Sequence, residues 1–129
     1  MLGREVRYMP IKLTIADDSR MSRKSVMRAL PEEWDVEISE ATNGKEALDC
    51  YNSDLAEVMF LDLTMPVMDG FEVLEYLHNI DAKTVVIVIS ADIQPYAQQK
   101  VRELGAVTFI KKPLDSAELK QVLHEVGLL

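Results

Sequence analysis

The chain has 129 residues, 48% of them apolar, and a formal net charge of -8. That length and apolar share suit one domain with a real buried core, and the acidic balance excludes generic binding to nucleic-acid phosphates, which needs clustered Lys and Arg. A single cysteine, Cys50, excludes an intramolecular disulfide, and with no long apolar span or signal-peptide pattern the sequence predicts a cytoplasmic chain without membrane insertion.

Residues 1–9 carry no periodic pattern and read as a tail, with Met9 as an alternative start and the domain proper over 10–129. An apolar run at 12–16 predicts the first strand; it leads into Asp17-Asp18 and a helix over 19–30. A strand at 36–39 precedes Asn43-Gly44, a pair suited to starting a helix over 45–51. The strand at 58–61 ends at Asp62, followed by a turn-rich stretch containing Met65-Pro66 and Asp69-Gly70 and a helix over 71–78. The strand at 84–89 meets Ser90 and a helix over 96–104, where Gly105 suits a left-handed helix end. The last strand, 107–110, gives way to Lys112-Pro113 and a helix over 116–126, whose start pairs Asp115 with Glu118 in the spacing of a capping box.

Five strands alternating with five helices predict an α/β fold in which right-handed crossovers place helices on both faces of a parallel sheet. Every polar residue that follows a strand then lies at the carboxyl edge of the sheet, where open α/β folds bind ligands. Asp17, Asp18, Asp62, Ser90 and Lys112 are expected in one cleft. Singly, each is ordinary: Asp17-Asp18 caps many helices, and Lys-Pro pairs are common in loops. Their joint order carries the reading.

Three adjacent carboxylates repel one another, so keeping all of them ionised favours a hard divalent cation with oxygen ligands and waters, magnesium first and manganese as its substitute. Such an ion offsets the repulsion between the Asp62 carboxylate and an incoming phosphoryl group. Lys112 then offers a point charge to a phosphoryl oxygen, and the Ser90 hydroxyl a hydrogen bond.

Asp17-Asp18, the segment from Phe60 through Asp62, Thr64, Met65-Pro66 and Asp69-Gly70, Ser90-Ala91 and Lys112-Pro113 together resemble response-regulator receiver domains of the CheY-like kind. The resemblance runs from about Lys12 to Val126 and includes Asn43 to Leu48. It implies a flavodoxin-like, doubly wound (βα)5 fold with strand order 2-1-3-4-5, an order for which CheY is itself a standard example. It also implies Asp62 as the phosphoacceptor, the Thr64 backbone carbonyl as a metal ligand beside Asp17, Asp18 and Asp62, and a cis bond before Pro113. Phe109 takes the place of a switch aromatic that is Tyr in many relatives, and Ser90 moves toward the phosphoryl group on activation. Thr64 and Asp92, two positions after Asp62 and Ser90, flank the path of a hydrolytic water.

The expected partners are a histidine kinase or histidine phosphotransfer protein as donor and an unidentified protein target as output. The first helix turns Arg20, Lys24 and Arg28 outward beside Met21 and Met27, with Val26, Ala29 and Leu30 inward, a face suited to the donor. The fourth turns Gln98, Gln99 and Arg102 outward as a candidate output face, with Ala97, Val101 and Leu104 inward. The reading is a stand-alone switch rather than an enzyme, with output by protein contact, chemotaxis being one setting. Three alternatives stand beside it: the receiver part of a longer regulator, a magnesium-dependent phosphatase with an aspartate nucleophile, and a flavodoxin-like cofactor binder. Thr64 stands where haloacid-dehalogenase-like phosphatases carry their general acid, and Asp17-Asp18 would repel an anionic cofactor.

Overall fold

The structure is a computed structural model that describes residues 9–92 and 94–129. The expected tail therefore lies outside the described residues except for Met9, which is exposed.

Val- and Ile-rich runs form five parallel strands, β1 (Ile11–Ala16), β2 (Val36–Ala41), β3 (Val58–Leu61), β4 (Val85–Ser90) and β5 (Thr108–Lys111), in the order β2-β1-β3-β4-β5. Between and after them run α1 (Arg20–Ala29), α2 (Gly44–Asn52), α3 (Gly70–Asn79), α4 (Pro95–Glu103) and α5 (Ser116–Glu125). The predicted fold class and strand order are those observed. β2 reaches two residues further than its apolar pattern suggested because Glu40 and Ala41 pair with Ile15 and Ala16. Ser90 is the last residue of β4, paired with Lys111, rather than a residue beyond it.

The central strands are apolar on both sides because the sheet separates two cores, each covered by helices. Leu13, Ile15, Phe60, Ile87, Ile89 and Ile110 pack with Val26 of α1 and Leu119 and Leu123 of α5. Met59, Leu61, Val86 and Val88 point the other way, toward Leu48, Val73, Leu74 and Val101 of α2, α3 and α4. Each fully buried Leu, Ile or Phe contributes about 1.5–3 kcal/mol. Trp34 stacks on Phe60 beneath the first core, with ring centroids 6.0 Å apart.

Local signals set the helix starts. Ser19, Asn43, Asp69 and Asp115 each accept a backbone N–H three residues on. The reciprocal capping box forms at Asp69 and Glu72; at Asp115 and Glu118 the structure shows the Asp115 half. Gly105 has a φ of 100°, the left-handed helix end expected there.

Gly70 shows where the packing is tightest. It opens α3 against the end of β3, so a Cβ there would run into the Asp62 carbonyl oxygen and come within 2.8 Å of Leu63 Cα. These are backbone atoms and cannot step aside. Gly70→Ala is expected to destabilise the fold by about 1–3 kcal/mol in chemical denaturation. At Gly127, by contrast, a Cβ meets nothing within 4 Å, and an alanine there would meet only the backbone strain of its φ of 82°, which Gly70 does not share. Unchanged stability of Gly70→Ala would contradict the packing explanation.

Candidate functional site

The backbone of each key residue extends the sheet by one more hydrogen bond. Asp17 donates its N–H to Ala41 of β2 at 2.9 Å, Asp62 to Ala16 of β1 at 3.0 Å, and Lys112 to Ser90 of β4 at 3.0 Å. Residues on three different loops are thus fixed to one rigid edge. Oxygens of Asp17, Asp18 and Asp62 lie within 4.8 Å of one another. Asp17 and Asp62 are buried, and Asp18 is exposed at the mouth of the cleft.

One ammonium reaches into this acidic group. Lys112 Nζ lies 2.6 Å from Asp17 Oδ2 and 3.5 Å from Asp62 Oδ2, and the peptide bond that follows Lys112 is cis, as expected. Asp17 Oδ1 accepts the Ser19 N–H at 2.9 Å, and Asp62 Oδ1 accepts the Leu63 N–H at 2.9 Å. Ser90 is buried, and its Oγ accepts the Asp92 N–H at 3.2 Å. The Asp92 carboxylate in turn accepts the Gln94 N–H at 3.2 Å, a local turn that leads into α4.

Burial raises the Asp62 carboxyl above its ordinary range. The Lys112 charge opposes the rise, the Asp17 charge adds to it, and hydrogen bonds from Leu63 and Ser90 hold it down. The net direction is upward, so an ionised Asp62 is a group the fold holds at some cost. The donor set of three carboxylates, open to solvent at Asp18, fits a hard divalent cation that keeps several waters. It offers no thiolate or imidazole to favour a softer metal.

The sequence-predicted residues fall in different places. Asp17, Asp18, Asp62 and Lys112 come together directly, and Ser90 is buried beside them at the end of β4. Thr64 is exposed on the β3–α3 loop. Phe109 is half-buried on β5, against the core beneath α2, α3 and α4. On α1, Arg20, Lys24 and Arg28 are exposed and Met21 is 82% exposed, but Met27 is half-buried against the core rather than part of the outward face. Gln98 on α4 is half-buried, while Gln99 and Arg102 are exposed as expected.

Two features of the site are not legible in the sequence. The Gly44 N–H donates to the Met68 carbonyl at 2.9 Å, pinning the β3–α3 loop to the start of α2. Within that loop the Met68 N–H returns to the Pro66 carbonyl at 2.7 Å, closing a three-residue turn with Val67 at φ 69°. A β-branched residue in that region costs about 1–3 kcal/mol. The surrounding loop holds it there.

Residues 13–124 match the response regulator receiver domain. The chain belongs to the receiver-domain family. The chemotaxis protein CheY of Thermotoga maritima is 29% identical over 116 residues, which span 90% of this chain and 97% of that protein. A protein-glutamate methylesterase/protein-glutamine glutaminase of Halalkalibacterium halodurans is 35% identical over 123 residues, 89% of this chain but 35% of that protein. The chain thus spans nearly all of the first relative and about a third of the second. CheY in the CheX–CheY–BeF3–Mg2+ complex from Borrelia burgdorferi superposes with a TM-score of 0.82 at 32% identity, covering 92% of this chain and 90% of that one. Receiver domains are switches of two-component signalling, acting between histidine kinases and downstream targets, and as a class they bind Mg2+ in an acidic pocket. The match is to the receiver family, which favours the switch reading over the phosphatase and flavodoxin-like alternatives. Among the described residues no helix is long and apolar enough to cross a membrane.

The raised Asp62 carboxyl has a measurable sign. Between its unfolded and folded pKa values the folded chain holds more proton than the unfolded one, so stability falls as pH rises through that window and stays lowered above it. In metal-free buffer at pH 7, Asp62→Asn is therefore expected to unfold at a higher temperature than the parent, with the gain shrinking as the pH is lowered through the carboxylate range. A variant equally or less stable at pH 7 would contradict the upward shift.

Proposed function

We propose that Asp62 is the phosphoacceptor of this receiver and takes a phosphoryl group from a phosphohistidine. The observation that carries the reading is the placement of Asp62, buried at the end of β3, with one oxygen occupied and the other facing Lys112. Oδ1 is held by the Leu63 N–H, which leaves Oδ2, 3.5 Å from Lys112 Nζ, to form the new bond to phosphorus. The bond between phosphorus and the donor imidazole nitrogen breaks as that bond forms, and the product is an aspartyl phosphate.

Asp17, Asp18 and Asp62 would hold the magnesium ion, together with the Thr64 backbone carbonyl. When bound, magnesium supplies the positive charge that lets anionic donor and anionic acceptor approach. Lys112 moves its contact from Asp17 to a phosphoryl oxygen, and the Ser90 hydroxyl donates to another. Ser90 shifts toward it while its Oγ still accepts the Asp92 N–H, so the movement is passed to the start of α4, and Phe109 follows into the space beneath that helix. Thr64 and Asp92 flank the approach of the hydrolytic water and tune how long the phosphoryl group lasts. The exposed Arg20, Lys24 and Arg28 face with Met21 receives the histidine kinase or phosphotransfer protein. Output is a changed protein-binding surface around α4 and β5, with no turnover of an external substrate.

Incubation with acetyl phosphate and magnesium, followed by intact mass measurement, tests this. A single labile phosphoryl adduct is expected, absent from Asp62→Ala and from metal-free samples. An adduct that persists in folded Asp62→Ala would contradict the assignment, as would no adduct from either acetyl phosphate or a phosphohistidine donor.

A further inference from the structure

Arg23 is the one charged side chain that α1 turns into the fold. The helix otherwise buries Val26 and Ala29, and Arg23 is only 8% exposed beside them. An arginine is rarely buried unless its donors are matched, so its partners identify what it is for. Nη1 donates to the Asp17 carbonyl at 2.8 Å, and Nε donates to Glu40 Oε1 at 2.8 Å. One planar guanidinium therefore ties α1 both to the end of β1 and to the edge strand β2.

We propose that Arg23 is a positioning residue for the divalent-cation site and that Glu40 is its counter-ion. This rests on the reading of Asp17, Asp18 and Asp62 as the cation ligands. The carbonyl that Arg23 grips belongs to the peptide unit joining Asp17 to Asp18. Holding that oxygen fixes the plane of the peptide, and with it the angle at which the two neighbouring carboxylates leave the backbone. The Asp17 N–H is already bound to Ala41 and its Oδ1 to the Ser19 N–H, so the Arg23 bond completes the restraint of Asp17.

Charge explains why Glu40 belongs to the device. A bare guanidinium held against Asp17 would repel a divalent cation entering the same cluster. The 2.8 Å contact to Glu40, whose side chain is 40% exposed, neutralises it and leaves the geometry without the repulsion. Supporting ligands from behind in this way commonly matters as much as the ligands themselves, and loss of such support costs about 10–100-fold in metal affinity.

Calorimetric titration of the metal-stripped chain with Mg2+ tests the inference, with chemical denaturation of each variant alongside. The parent is expected to bind one equivalent and Asp18→Asn to lose that binding, which places it at the carboxylate cluster. Arg23→Met is expected to weaken the affinity about tenfold or more. Arg23→Lys is expected to recover only part, because an ammonium cannot span the Asp17 carbonyl and Glu40 as a planar fork does. Glu40→Gln is expected to weaken Mg2+ binding severalfold while the chain stays folded, because it leaves the guanidinium uncompensated. If the Arg23 variants do not fold, Glu40→Gln decides. A stability loss with unchanged Mg2+ affinity would show that the pair only anchors α1, overturning the inference while leaving the cation site intact. A parent that binds no Mg2+ would overturn the cation site and this inference with it.

Discussion

The contact between Lys112 and the carboxylates of Asp17 and Asp62 is the interaction on which the rest of the site depends. A parallel sheet ends its strands along one edge, and in this chain three of those ends carry acids or the lysine that answers them. Unopposed, Asp17, Asp18 and Asp62 within 4.8 Å of one another would push the loops apart. Lys112 at 2.6 Å from Asp17 and 3.5 Å from Asp62 lets them stay together. The cluster is nonetheless still acidic, which is why a divalent cation suits the cleft, while burial, with the Asp17 charge adding to it, raises the Asp62 carboxyl.

Such a site is useful only if it is rigid, and the rigidity comes from the sheet. Asp17, Asp62 and Lys112 each add a backbone hydrogen bond beyond the last paired residues of a strand. The two cores on either side of the sheet, one under α1 and α5 and one under α2, α3 and α4, hold those strands in register. The loops are then fixed to one another: Gly70 lets α3 start against the Asp62 backbone, and Gly44 lets α2 start against Met68. The strained turn at Val67 is held by these contacts close to Asp62 in sequence. Ser90 differs from the acids in that its hydroxyl oxygen accepts the Asp92 N–H, which ties the end of β4 to the approach to α4.

The order of strands and helices was legible because apolar runs of strand length alternate with helical periodicity and because Asn43 and Asp115 mark helix starts; Asp69, read there as part of a turn-rich stretch, proves to cap α3. The acids and Lys112 were legible because each follows such a run. What the sequence concealed are contacts between distant segments. Arg23 looks like one more basic residue of α1, alongside Arg20 and Lys24, until the helix is placed against Asp17 and Glu40. Met27 reads as surface from spacing alone, yet its flexible side chain reaches the core. Gly44 and Gly70 read as turn and helix-entry residues, but their close approaches are hidden, since only the folded chain shows which backbone would meet a Cβ. The reciprocal box at Asp69 and Glu72 has the same residue types and spacing as Asp115 and Glu118, and local geometry alone separates the two.

The most direct test of the central claim is to locate the phosphoryl bond. Protein phosphorylated by acetyl phosphate with magnesium is reduced with borohydride, which converts an acyl phosphate on aspartate to homoserine, and its peptides are sequenced by mass spectrometry. The expected result is homoserine at position 62 and unaltered aspartate at positions 17 and 18. Homoserine at either of those positions in place of 62, or phosphate retained on a serine, threonine or histidine with none reduced, would contradict the assignment of Asp62 as the acceptor.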